Sequence, residues 1–140
     1  MIRVYSKIRK KKLLHIVCNK SYPSKIMSHR VDISNAKQFI QVATLSLKKN
    51  QTFLAHKHVW KFPRFKKMIA QESWVVLEGK VRMYTFDLDG TFIKSYLLSK
   101  GDFSITYEGG HNYKSLSKNT KVIEYKTGPY EGIKRDKVFL

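Results

Sequence analysis

The chain has 140 residues, 42% of them apolar and 13% aromatic, which suits one folded domain and excludes disorder throughout. Lys and Arg number 28 against 10 Asp and Glu, for a net charge of +18, and Cys18 is the single cysteine. An internal disulfide is therefore excluded, and no apolar run approaches the roughly 20 residues of a membrane span, so the sequence reads as a soluble cytoplasmic protein.

Residues 1–30 carry nine basic residues and no acid, half of the net charge. Their apolar run at 13–17 is too short for a signal-peptide core. Without sustained periodicity, residues 1–29 read as a basic arm before a domain at 30–140. Pro23 marks a turn at 21–25. Residues 1–27 are expected to be dispensable for the fold; the alternative is an arm strand that swaps onto a partner subunit. A charge this large raises nucleic acid, anionic lipid or an acidic polymer as a partner. Lys outnumbers Arg 22 to 6, which disfavours bidentate recognition of bases or phosphates.

From residue 38 the chain reads as short strands separated by turn signals. Strands are expected at 38–47 and 51–58, with a turn at 48–50. The stretch 73–88 is rich in β-branched and aromatic residues, and Gly79 places a bend inside it. Asp89-Gly90 is a hairpin signal, and residues 99–102 form a further turn. Three more strands follow, ending near residue 126. This rhythm implies an all-β fold, an antiparallel β-barrel or jelly roll over about 38–127. Tyr84, Phe86 and Tyr125 are expected to fill its core. Trp74 takes no assignment.

Two histidines, His56 and His58, stand one residue apart. On a strand they would share a face, with Lys57 pointing away, which is a start for a transition-metal site. In isolation, two half-exposed histidines on a strand edge would look the same. Glu72 precedes Gly79 by seven residues, and Gly101 precedes His111 by ten. Together these residues resemble the two motifs of the cupin superfamily, G-x5-H-x-H-x3,4-E-x6-G and G-x5-P-x-G-x2-H-x3-N. Here Asn50 replaces the first glycine, thirteen residues separate His58 from Glu72, the second motif lacks its proline, and Ser115 replaces the final Asn. Gly109-Gly110 has no following Lys and is not a phosphate loop.

The pieces "RVDIS", "HKHVWK", "AQESWVVLEGKV", "FDLDG", "GGHNY" and "EYKTGPYEG" extend the likeness over roughly four fifths of the chain. They are similar to small single-domain cupins of the WbuC-like group, associated with surface-polysaccharide and nucleotide-sugar gene clusters. The resemblance implies an RmlC-like barrel, a homodimer, and one divalent transition metal (Fe, Mn, Zn or Ni) held by His56, His58, Glu72 and His111. It further implies a small-molecule substrate related to carbohydrates, an anionic sugar among the candidates, handled by an isomerase, epimerase or oxygenase. Gln71 and Tyr113 are candidate hydrogen-bonding residues of the pocket. Lys61, Arg64, Lys66 and Lys67 are candidates for capture of a phosphate or carboxylate, or else a solvated loop. The alternatives are a non-catalytic sugar- or anion-binding cupin, and a basic nucleic-acid or membrane-surface binder that uses the arm.

Overall fold

The computed structural model describes residues 1–19, 30–45, 49–58 and 68–140. Among them are strands β1 (Ile2–Tyr5), β2 (Leu13–Cys18), β3 (Arg30–Asp32), β4 (Ala43–Leu45), β5 (Glu72–Glu78), β6 (Lys80–Phe86), β7 (Phe92–Ser99), β8 (Phe103–Thr106), β9 (Gly110–Ser115) and β10 (Lys121–Lys126). One short helix, α1 (Ile133–Asp136), follows. The fold is nearly all β, and every strand pair is antiparallel.

Two sheets face one another, a five-stranded sheet of order β1-β2-β8-β5-β10 and a three-stranded sheet of order β7-β6-β9. Val4, Val17 and Val76 from the first pack against Val81, Met83, Tyr96 and Leu98 from the second. The strands do not close into a barrel among the described residues. The other face of the five-stranded sheet carries Ile16, Cys18, Phe103 and Ile105. Ile33 and Ile40 cover it from the segment around the β3–β4 pair.

Local chemistry explains the crossing between sheets. Gly79 lies at φ +83 between β5 and β6, so one glycine turns the chain from the five-stranded to the three-stranded sheet. A Cβ there would come within 2.6 Å of Ser117 Oγ and 2.7 Å of Thr120 Oγ1. The Asp89-Gly90 turn joins β6 to β7 as expected, and the turn at 99–102 joins β7 to β8.

Several expectations are corrected. Residues 2–18 are not a detached arm: they supply β1 and β2, and β2 lies between β1 and β8 with Leu14, Ile16, Val17 and Cys18 buried. Leu13–Cys18 is a short continuous apolar run, the pattern of a strand covered on both faces. Of the strand expected at 38–47, Ala43–Leu45 is a strand while 38–42 is irregular. Residues 51–58 form no strand and lie largely exposed, and among the described residues they join no ladder that would reward extension. Tyr84 and Phe86 are only half-buried and Tyr125 is exposed. On β6 the inward positions are Val81, Met83 and Thr85, one step out of phase with the aromatics. The expected turn at 21–25 and the basic positions 61, 64, 66 and 67 fall outside the described residues.

Candidate functional site

The polar end of the space between the sheets holds the candidate site. Strand register builds it in two transverse rows. His15, Thr106, Glu72 and Lys126 stand opposite one another across β2, β8, β5 and β10. Val17, Ser104, Trp74 and Glu124 form the next row. From the facing sheet, His111 on β9 meets the first row and Tyr113, two residues on, meets the second. A period of two on each strand therefore converges five sequence-distant segments.

His111 Nε2 lies 3.0 Å from Glu72 Oε1. A carboxylate only accepts, so Nε2 carries the proton. A neutral His111 then has a bare lone pair on Nδ1, which is buried and has no hydrogen-bond partner. Burial pushes the Glu72 carboxyl up, but the His111 hydrogen bond and the charges of His111, Lys137 and Lys126 outweigh it, and it sits below the usual value.

Tyr113 stacks on Trp74, with ring centroids 4.0 Å apart and planes 6° from parallel. Trp74 is thereby assigned: it shares the Glu72 face, and its Nε1 donates to Glu124 Oε2 at 3.1 Å. The Tyr113 hydroxyl is 2.9 Å from Ser104 Oγ and also meets the Thr106 hydroxyl. Burial raises its pKa well above the ordinary tyrosine value, so Tyr113 stays a neutral donor.

Behind Thr106 lies His15, fully buried. Its Nε2 faces the Phe86 carbonyl at 3.4 Å and its Nδ1 faces Thr106 Oγ1 at 3.1 Å. The carbonyl fixes the tautomer: Nε2 donates, and Nδ1 accepts from the Thr106 hydroxyl. Burial drives the His15 pKa down to about 4. The folded chain therefore holds His15 neutral where the unfolded chain, with a pKa of 6.5, binds a proton. Stability is full above pH 6.5 and falls as pH drops towards 4. The shift corresponds to about 3 kcal/mol, at about 1.4 kcal/mol per pKa unit. Urea denaturation from pH 7 to 4 should show a steeper loss for wild type than for His15→Gln. Equal slopes would remove His15 from this role.

The C-terminal segment borders the same site. Lys126 Nζ pairs with Asp136 Oδ2 at 2.8 Å and lies over the Tyr130 ring at 4.4 Å. Leu140 reaches the start of β9, where a Cβ on Gly110 would collide with its Cδ1.

The sequence-derived candidates divide. Glu72, His111 and Tyr113 come together. Gln71 does not join them: its Oε1 accepts from Ile40 N at 2.8 Å and its Nε2 donates to Gln38 Oε1 at 2.9 Å, so it ties down the segment before β4. His56 and His58 lie on the exposed segment 51–58, their ring centroids 5.4 Å apart, and His56 Nδ1 is 2.9 Å from Leu54 O. As placed, the four residues expected around one metal do not fit a single coordination shell. Among the described residues no three His, Cys, Asp or Glu side chains gather in metal-binding geometry. His15, Thr106, Ser104 and Lys126 were not anticipated. The available signal was the apolar run at 13–18 with one histidine inside it, a buried strand carrying a buried imidazole. No family model, curated protein or solved structure matches this chain.

Proposed function

We propose that the protein is a small-molecule-binding domain of cupin type, acting on a carbohydrate-related metabolite by proton transfer at the Glu72–His111 pair, in the manner of an isomerase or epimerase. The observation that carries this reading is the His111 Nδ1 lone pair, buried and unpartnered while Glu72 holds the opposite nitrogen. An orphaned acceptor of this kind costs about 1–3 kcal/mol, and a ligand hydrogen would offset that cost. Glu72 orients the imidazole through Nε2 and leaves Nδ1 to take up a proton, the geometry of a general base. Tyr113, 5.4 Å between ring centroids from His111, donates its one O–H to Thr106 Oγ1 and so offers the site a ring face and an oxygen that accepts. A jelly-roll ancestry and a homodimer belong to the same proposal.

The test is a panel of nucleotide sugars, keto forms included, incubated with the protein in deuterated water and followed by NMR. Deuterium should enter at the carbon beside a carbonyl. His111→Gln should slow this exchange by about 100-fold or more, the usual contribution of a general base. Absence of exchange across the panel, or full activity in His111→Gln, would sink the reading.

A second reading has one specific observation in its favour. The 3.0 Å between His111 Nε2 and Glu72 Oε1 matches the edge of an octahedron whose bonds are about 2.1 Å long. The pair is thus half of a possible metal site, completed only if His56 and His58 approach. Metal content after loading with Fe, Mn, Zn or Ni separates the two. One bound ion per chain, lost in both Glu72→Ala and His58→Ala but kept in Lys57→Ala, would favour the metal centre.

A further inference from the structure

The β1–β2 hairpin presents its charge at its tip. Lys7, Ile8, Arg9, Lys10 and Lys11 are consecutive and all exposed. Among the described residues, none of the four cations has an ion-pair partner. The acids near the hairpin base are already engaged. Asp87 is buried and accepts from Ser6 Oγ and Lys7 N, both at 2.6 Å, and Glu108 pairs with Lys12. The tip is therefore an unneutralised cluster on a well-anchored base. Ser6 N donates to Lys12 O at 2.9 Å, and Lys12 N donates to Arg9 O at 3.1 Å.

Two features go beyond charge. Ile8 projects 59% exposed from the middle of the cluster, where folding gains nothing from an apolar side chain. Lys11 sits at φ 65, a left-handed conformation in which glycine would be unstrained. Among the described residues, the other two non-glycine residues with positive φ are Asn50 and Asn119, the type that tolerates it best. At Lys11 a cation stands where backbone energetics would select glycine. Backbone strain retained at an exposed tip points to a contact made outside the fold.

We propose that this hairpin tip docks the protein on an anionic lipid surface, with Lys7, Arg9, Lys10 and Lys11 against the headgroups and Ile8 entering the interface between them. Lysines act as hydrated point charges and need no fixed partner geometry, which suits a fluid layer of headgroups. Each cation near such a surface contributes about fivefold in affinity. Burial of Ile8 in the interface adds about tenfold. The contact is reversible and salt-dependent.

The test is co-sedimentation of the full chain with vesicles of phosphatidylcholine alone or with 30% phosphatidylserine by mole, roughly the anionic content of a charged leaflet. Binding is expected only with phosphatidylserine and should largely vanish at about 0.5 M salt. Lys10→Glu/Lys11→Glu should bind at least about 30-fold more weakly, and Ile8→Ser about tenfold more weakly. Lys11→Gly is the discriminating variant. It should melt no lower than wild type, because the strain is relieved, yet bind about fivefold more weakly. Equal binding to both vesicle types, or unchanged binding in Lys11→Gly and Ile8→Ser, would overturn the proposal. So would a DNA or RNA duplex that binds through the same lysines more tightly than the vesicles do.

Discussion

A chain beginning at residue 19 should fail to fold. It should be insoluble, or soluble without a cooperative thermal transition. The deletion removes the buried side chains of Val4, Leu14, Ile16 and Val17. At about 1.5–3 kcal/mol each they represent about 6–12 kcal/mol, the size of the whole stability of a typical domain at about 5–15 kcal/mol. It also strips β8 of its partner from His15 to Cys18, leaving a hydrophobic edge open to pairing with other chains. The measurement is a melt by circular dichroism beside the full chain. A soluble 19–140 or 27–140 protein melting within a few degrees of wild type would restore the view of a dispensable arm.

Asp87→Ala should cost about 3–5 kcal/mol, since hydrogen bonds to a charged group contribute about 1.5–3 kcal/mol each and their donors are left without an acceptor. The carboxylate receives Ser6 Oγ and Lys7 N at 2.6 Å and Leu88 N at 2.8 Å. It thereby joins the foot of the β1–β2 hairpin to the β6–β7 turn of the other sheet. Burial pushes its pKa up, but the bonds from Ser6, Leu88, Lys7 and Ile8 outweigh this and hold it below the ordinary 3.8. A depressed carboxyl stabilises the fold above that ordinary value and loses its contribution as pH falls further. Chemical denaturation at pH 7 should show the full loss. Below about pH 3.8 the gap between wild type and Asp87→Ala should narrow. A gap that stays constant down to pH 2 would assign the effect to packing instead.

Legibility in the sequence followed the range of the interaction that sets each feature. Turns written in neighbouring residues were readable: Gly79, Asp89-Gly90 and the 99–102 turn all stand where expected. Motif spacing singled out Glu72 and His111, which the structure places 3.0 Å apart, but it also singled out His56 and His58, which lie on the exposed segment. Strand phase on β6 was not readable, since aromatic bulk pointed to Tyr84 and Phe86 while the core selected Val81, Met83 and Thr85. The run Leu13–Cys18 was read with its basic neighbours as an arm, because its partner β8 lies some ninety residues away in sequence. His15 was hidden for the same reason, a long-range register being what brings it to Thr106. The expected strand at 51–58 failed in the opposite way. Its composition allowed extension, but among the described residues no strand pairs with it.

The strand order β1-β2-β8-β5-β10 also dictates a timetable. During synthesis β2 leaves the ribosome early, and its sheet neighbour on one side, β8, is made about ninety residues later. At about 5–20 residues per second that is an interval of some 5–20 seconds. Through it, a strand as apolar as LLHIVC has β1 on one edge and, once made, the Ile33 and Ile40 segment on one face, while the edge that β8 will fill stays open. The basic residues between β1 and β2 then have a second use as a brake on self-association, because two nascent hairpins repel. Neutralising that loop should lower the yield of soluble protein from cells more than it lowers the melting temperature of the protein that survives.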